Sequence, residues 1–538
     1  MAQFSGAVKL ADLNDFIAPS QACVVTMSGD KVAELPSDDV LAAGSVQLQQ
    51  RAPLPPQGGF AQTREAGPDG AVKVTLHDCL ACSGCVTSAE TVLLEHQSAG
   101  EFLARLASPG VAVVVSISPQ SRAALAALHG LPPAAAQARL AAFLKALGVR
   151  MVLDASAGRD LALLEAAAEF VARYRAVRRA LPGDAKEASA RERAASGAAA
   201  GPSGRPPVPG VVSVASGTLQ RGRSPGSEAG SEAGFPGPLP MLASACPGWV
   251  CYAEKTHGEY ALPYISTAKS PQAVMGTVVK RHLAARLGHA PADIHHVAIM
   301  PCYDKKLEAS RGDFNLPGTA VPEVDVVLTT GEVQRLLEER GVSLAALPEV
   351  QLDDLASGAP ERGRVYGYPG GAGGYLEYVF RTAARELFGA SVPSMPLPLR
   401  QLRNADFREV VLEVDGRPAL RFAAAYGFRN IQTLVRKIKR RACEYDYVEV
   451  MACPSACLNG GGQLPPTPGQ SPQQLLEQLE QLYHDPQVEQ REPSDSPAAR
   501  ALYAGWVGGL PGSAAARRLL HTGYHRREKP AAAAAADW

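Results

Sequence analysis

Eight of the ten cysteines in this chain fall into two sets of four, and that arrangement constrains the fold more than any other feature. The first set is the run Cys79-Leu-Ala-Cys82-Ser-Gly-Cys85, with a lone Cys23 upstream. The second is spread over three segments bounded by Gly and Pro: Ala245-Cys246-Pro-Gly-Trp249, Met300-Pro-Cys302-Tyr-Asp-Lys305 and Met451-Ala-Cys453-Pro-Ser-Ala-Cys457. A [4Fe–4S] cluster takes four thiolates, so each set has the composition of one cluster site. The chain therefore has to bring distant segments to two common points.

The first run places three thiolates on one side of a tight loop. Ser83 and Gly84 allow the turn and free backbone N–H groups for cluster sulfurs. Zinc prefers paired Cys-x-x-Cys knuckles to a run of three. After Cys85 the next cysteine is Cys246, so Cys23, flanked by Ala22, Val24 and Val25, is the expected fourth ligand. Bulk properties agree with a metal-binding protein of the cell interior. Lys and Arg balance Asp and Glu at 53 each, which gives no general case for nucleic acid or an anionic membrane. The first twenty residues lack a basic stretch followed by an apolar one, and they carry Asp12 and Asp15, against a secretory or mitochondrial leader. The longest strongly apolar run, 111–117, is too short to span a bilayer. In such a setting paired cysteines more often bind metal than form disulfides.

Strand and helix signals alternate through the middle of the chain. The runs 111–117, 151–154, 297–300, 324–328 and 447–451 read as buried strands. Helical patterns cover 121–147 and 161–178. This alternation argues for an α/β fold with parallel sheets and covering helices. Cys302 and Cys453 follow directly on two of the strands, which fits ligand binding at the carboxyl edge of a parallel sheet. Residues 184–240 are mostly Gly, Ala, Ser, Pro and Arg, with the near-repeat Gly226-Ser-Glu-Ala-Gly230-Ser-Glu-Ala-Gly234, and read as a disordered insertion. The expected organisation is an N-terminal cluster domain over 1–106 with a loop insertion near 30–72, an α/β core over 107–183 and 241–463, and a helical C-terminal segment and tail over 464–538.

The segments around the second set resemble the three active-site signatures of iron-only hydrogenases. They continue into Ile265-Ser-Thr-Ala-Lys269-Ser-Pro271 and Cys457-Leu-Asn459-Gly-Gly-Gly-Gln463, and the likeness extends to Gly371-Ala-Gly-Gly374-Tyr-Leu-Glu377 and Leu519-Leu-His521-Thr-Gly-Tyr524-His525. The resemblance implies a hydrogenase-like α/β core with Cys246, Cys302, Cys453 and Cys457 as cluster ligands. In that family a di-iron unit hangs from the cysteine matching Cys457, and a thiol just before the first cluster cysteine relays protons. Here that residue is Ala245, which holds no proton, and Ala456 replaces the Gly usual before the bridging cysteine. The closer resemblance is to the Nar-type cytosolic iron–sulfur assembly factors, related to nuclear prelamin A recognition factor. These join a small ferredoxin-like N-terminal domain to a hydrogenase-like core without di-iron. The resemblance implies two [4Fe–4S] clusters, no enzymatic activity, and delivery of clusters from a cytosolic scaffold to cytosolic and nuclear apoproteins. It also implies a targeting complex with a WD-repeat propeller as partner, and a place in the cytoplasm, with the nucleus as a further location. The alternatives are an iron-only hydrogenase, disfavoured by Ala245, and a two-cluster electron carrier.

Cys251 and Cys443 belong to neither set and read as small buried hydrophobes. Lys305 is either a cation beside the cluster or a solvated side chain. Trp249 is expected to pack beside Cys246 and exclude water. Gly460-Gly461-Gly462 lacks the Lys-Ser/Thr of a phosphate loop, and close backbone approach to the cluster is the preferred account. The chain ends in Asp537-Trp538 after an Ala run. That ending resembles the acidic–aromatic tails of this pathway and is expected to bind the targeting complex.

Overall fold

The β-branched run after Pro109-Gly110 forms the first strand of the computed structural model, which describes residues 97–180, 209–215, 235, 237–355, 365–393 and 395–527. The chain divides into the units 1–84 and 85–538, and every described residue lies in the second. The expected ligands Cys23, Cys79, Cys82 and Cys85 and the tail residues Asp537 and Trp538 lie outside the described residues.

The strands are β1 (Ala112–Ile117), β2 (Met151–Asp154), β3 (Val211–Val214), β4 (Met241–Ala243), β5 (Ile294–Met300), β6 (Val326–Thr329), β7 (Val365–Gly367), β8 (Arg400–Gln401), β9 (Phe407–Val414), β10 (Arg417–Tyr426), β11 (Tyr447–Met451) and β12 (Val488–Gln490). A four-stranded, wholly parallel sheet runs β2-β1-β5-β6. A second sheet runs β3-β9-β10-β11-β4, with β8 paired to β9. It is mixed, since β9 is antiparallel to β8 and β10 while β10, β11 and β4 are parallel. Both faces of the first sheet are covered, which is why its strands read as unbroken apolar runs rather than alternating ones.

Helix Ser156–Ala180 joins the two sheets. Leu161 and Ala162 pack in one continuous core with Val114, Met151 and Leu153 of the first sheet and with Leu242, Phe422 and Tyr447 of the second. Phe170 meets the Phe422 and Tyr447 rings edge-on at 5.0 and 5.6 Å, and those two rings stack at 4.7 Å across the β10–β11 register. Such pairs contribute about 1 kcal/mol each beyond the area they bury. The outer face of the first sheet is closed by helices 99–106, 133–146 and 330–339, through Phe102, Leu140, Leu144, Leu336 and Leu337.

Three sequence expectations change, and one element is added. Residues 99–106 pack on the α/β core through Phe102 rather than belonging to a separate N-terminal domain. The helix expected over 121–147 is two helices, Pro119–His129 and Pro133–Ala146. Gly130, at φ +60, ends the first, and Pro133 opens the second at a position where a missing N–H costs nothing. Within the expected insertion 184–240, residues 211–214 form β3, paired in parallel with β9. The β9–β10 hairpin was not foreseen at all.

Candidate metal centre

The cysteines of the second set follow the carboxyl ends of three strands. Cys246 comes after β4 and caps helix Pro247–Thr256, with Pro247 in its first position. Cys302 comes after β5, one residue beyond Pro301. Cys453 and Cys457 come after β11. Because β4 and β11 are neighbours in one sheet and β5 is central in the other, the site sits at the seam where the two carboxyl edges meet. The four cysteines are free thiols, Cys246 buried and the other three half-buried.

The local structure explains why each segment has its sequence. Gly460 and Gly462 lie against the Cys302 segment: a Cβ on Gly460 would stand 2.4 Å from the Pro301 carbonyl oxygen, and one on Gly462 would stand 3.2 Å from Cys302 Cα and 2.7 Å from Thr329 Cγ2 at the end of β6. The Gly462 N–H donates to the Pro301 carbonyl at 2.9 Å. The glycines thus allow close packing of the Cys457 loop onto the Cys302 loop. Between Cys453 and Cys457, Ser455 and Ala456 both hold left-handed backbone, at φ 55 and 60. Each costs roughly 1–2 kcal/mol without glycine's freedom. The conformation is held by Asp406, whose carboxylate accepts the Ser455 N–H at 2.7 Å. Ser244 accepts the Cys246 N–H at 3.0 Å and donates to the Val450 carbonyl at 2.5 Å, tying β4 to β11 beside the first cysteine.

The electrostatics of the site favour neutral thiols in the absence of a cation. Burial pushes Cys302 and Cys453 far above the ordinary thiol value, and the neighbouring thiols and Asp304 push them further. Cys457 is pushed up to about 12 by burial and by Cys246. Burial and Asp304 also raise Cys246, while backbone N–H groups of Ala452 and Trp249 and the Lys305 cation lower it. The Ala452 N–H reaches Cys246 Sγ at 3.4 Å. Asp304 is itself raised to about 6 by burial, with Lys305 opposing. The four thiols need a positive centre to become thiolates, which is what iron supplies.

The donor set fits an iron–sulfur cluster. The four thiols come from three segments and lie near enough to act on one another's charge, and iron–sulfur clusters are held by cysteine thiolates. Zn–S bonds of about 2.3 Å would gather the sulfurs tightly. Among the described residues no group of three His, Cys, Asp or Glu side chains is gathered as a single ion requires. Trp249 is fully buried behind Cys246, as expected. Cys251 is buried and pushed up to about 11, an inert thiol, and burial raises half-buried Cys443 as well.

Residues outside the cysteine motifs fix the surroundings. The Lys305 ammonium is buried and spoken for, donating to Ser270 at 3.0 Å and to both Glu308 oxygens at 3.0 and 3.1 Å. It is neither solvated nor free to swing. Glu254, fully buried on the helix begun by Cys246, pairs in two-pronged fashion with Arg311 at 2.9 and 2.7 Å. Arg311 follows the helix begun beside Cys302. The same carboxylate accepts from the His525 N–H at 3.1 Å and from Arg527 at 3.2 Å. His521 bridges Thr267 and Glu165, at 2.8 Å each, so the C-terminal residues are pinned along the Ser266–Lys269 segment. Glu449, in the middle of β11, accepts from the Leu376 N–H at 2.6 Å and the Tyr426 hydroxyl at 3.0 Å. The sequence signal for it was an acid inside an apolar strand. Asp406 and Glu254 had no comparable signal.

Fold and site together define an iron-only hydrogenase-like protein. The iron-only hydrogenase large subunit, C-terminal domain family matches residues 111–183 and 228–461, and the iron hydrogenase small subunit family matches 472–527. The solved [FeFe]-hydrogenase of Chlamydomonas reinhardtii is similar at 27% identity, with a TM-score of 0.61, over 80% of this chain and 99% of that one. Among relatives, the chain is 42% identical over its full length to Protein NAR1 of Arabidopsis thaliana, 99% of which is covered. It is 46% identical to cytosolic iron-sulfur assembly component 3 of Mus musculus, over 99% of both chains. The chain belongs to the Nar-type family of cytosolic iron–sulfur protein assembly factors.

Proposed function

We propose that the chain is a non-catalytic assembly factor that holds two [4Fe–4S] clusters and helps deliver clusters from a cytosolic scaffold to cytosolic and nuclear apoproteins. Cys246, Cys302, Cys453 and Cys457 would hold one cluster, and Cys23, Cys79, Cys82 and Cys85 the other. A bound cluster supplies the positive charge that ionises the thiols. The chain's own residues shape that site: Lys305 offsets thiolate charge, the Ala452 and Trp249 N–H groups donate to Cys246, and buried Trp249 excludes water. The observation that carries this reading is an all-thiol site with no acid–base group at the position before Cys246, where buried Ala245 stands. The relatives named as assembly components support it. Asp537 and Trp538 form the contact with the WD-repeat targeting complex. No helix among the described residues is long and apolar enough to cross a membrane.

The test is transfer. The chain is loaded with labelled iron, incubated anaerobically with an apo [4Fe–4S] protein, and separated by size. Label should move to the acceptor, and the Cys79→Ala or Cys453→Ala variant should move less. Retention of all label by the wild-type chain would overturn the reading. The fold likeness to [FeFe]-hydrogenase favours one alternative, an enzyme, which a hydrogen-evolution assay with reduced viologen distinguishes.

A further inference from the structure

Helix Phe428–Lys439 buries Ile431, Leu434, Val435 and Ile438 against the second sheet. Its remaining surface and the turn after it carry Arg429, Arg436, Lys437, Lys439, Arg440 and Arg441, with no acidic residue among positions 429–441. All but Lys437 are exposed. Among the described residues no ion pair involves any of them, and the acids next to Tyr260 and Cys443, Glu259 and Glu444, pair instead with Arg526 and Arg421. Lys437 and Lys439 lie over the rings of Tyr445 and Tyr260, at 5.6 and 4.9 Å, and Arg436 donates to its own helix at the Gln432 carbonyl, 3.2 Å away. Beside the helix, Arg403, Lys437, Phe407 and Tyr445 line a groove of about 450 Å³.

This concentration is costly for the helix. Like charges three residues apart within the helix, as at Arg436 and Lys439, destabilise it by about 0.2–0.5 kcal/mol per pair. Cations in a last turn are partly explained by the helix dipole. The dipole does not explain Arg429, which stands in the first turn where a cation is disfavoured, nor Arg403 across the groove. In a chain whose charges balance at 53 each, an unpaired basic face of this size marks a surface that meets negative charge.

Its position says what kind of partner. The Gly427 N–H that opens the helix donates to the Met451 carbonyl at 2.8 Å, and a Cβ on Gly427 would lie 3.7 Å from Pro454. Asn404 at the groove's edge is bonded to Asn430 of the helix, and Asp406 two residues on grips Ser455. The basic face therefore begins beside the Cys453–Cys457 loop, in which Pro454 is exposed and Cys453 and Cys457 are partly exposed residues.

We infer that the basic face of helix Phe428–Lys439, with Arg440 and Arg441, is a docking surface for an acidic protein, placed so that the partner stands over the Cys453–Cys457 loop. The assignment of that partner as a cluster donor or acceptor rests on the assembly reading. Charge complementarity of this kind governs encounter and orientation more than residence, so it is read through affinity and its salt dependence.

The experiment uses the full chain, loaded anaerobically, and a bacterial-type two-cluster ferredoxin as a defined acidic probe: its cluster-bound form for binding, its apo form for transfer. The R429E/R436E/R440E variant changes three exposed positions on one stripe. Wild type should bind the ferredoxin with an affinity that falls as salt rises. The triple variant should bind at least about tenfold more weakly with its iron content unchanged, and R429K/R436K/R440K should bind like wild type. Equal binding by wild type and the Glu variant overturns the proposal. So does tighter binding, at physiological salt, of a duplex oligonucleotide of matched net charge, which assigns the face to nucleic acid. A shift from dimer to monomer in the Glu variant on sedimentation, without ferredoxin binding to wild type, assigns it to a second copy and overturns the proposal too. Undiminished transfer from the Glu variant to apo-ferredoxin overturns the docking surface and leaves the assembly function standing. Charge-dependent binding with no transfer from wild type does the reverse.

Discussion

Replacing Glu254 with Gln should destabilise the chain by about 3 kcal/mol, because it strands a buried guanidinium. Glu254 is fully enclosed and the Arg311 side chain is 6% exposed. Burial alone would lower the Arg311 pKa, but the hydrogen bonds and charge of Glu254, with Asp313, raise it above its ordinary value. Breaking a pair this buried costs about 3–5 kcal/mol, most of it from the charge left behind. Asp313 still holds one edge of the guanidinium, at 2.7 Å, and is 25% exposed, which places the loss at the low end. The Gln side chain keeps one acceptor for the His525 N–H or Arg527, but not for both and Arg311 together. At about 2 °C per kcal/mol for a large chain, Glu254→Gln should melt roughly 6 °C earlier by circular dichroism. Limited proteolysis should cut sooner near 520–527, since that segment loses its anchor. The double variant Glu254→Leu with Arg311→Met should recover to within about 1 kcal/mol of wild type, because removing both charges removes the penalty. A single variant that melts with wild type, or a double variant no better than the single, would refute the argument.

Three further outcomes follow from the same structure. Cys453→Ala should lower solubility and melting temperature more than Cys79→Ala, since Cys453 belongs to a site joining segments after β4, β5 and β11, and binding free energy there is folding free energy; equal losses on thermal scans would contradict this. Burial pushes the Glu377 carboxyl up from 4.5 to about 7, so its proton is held in the folded state at pH values where the unfolded chain has lost it. Stability from this group is complete below about pH 4.5 and lost as pH rises to about 7, by on the order of 3 kcal/mol, and Glu377→Gln should flatten that part of the denaturation–pH profile; an unchanged profile would show that Glu377 titrates normally. Deleting Asp537 and Trp538 should abolish capture of the propeller-containing partner at constant iron content, and unaltered capture would make the tail idle.

The parts of the fold legible in sequence were those set by local pattern. β1, β2 and β11 were read to within a residue because runs such as Val-Val-Val-Ser-Ile have no alternative to a doubly covered strand. β4 escaped because three residues carry no periodicity. The β9–β10 hairpin escaped although its signal was present: Asp415-Gly416, at φ 51 and 74, is the two-residue turn that favours a hairpin between alternating strands. The cysteines of the second set stood out by spacing and type, and the structure sets them after the ends of three strands, close enough to act on one another's charge. What holds them did not stand out. Asp406, Glu254 and Ser244 act through contacts with residues 49, 57 and 206 positions away, and nothing in their neighbours' sequence marks them. The glycine triplet was marked, yet its reason was tertiary, the close passage of two ligand loops. The N-terminal set lies outside the described residues, so its reading rests on spacing and family resemblance.

The most direct test of the central claim is iron and acid-labile sulfide analysis on anaerobically reconstituted chain, with EPR after reduction, for wild type, Cys79→Ala and Cys453→Ala. Two four-thiolate sites give about eight iron and eight sulfide for wild type, and each variant should lose about half with the loss of a different signal. About four iron in wild type, with a signal that Cys79→Ala leaves untouched, would contradict the two-cluster account.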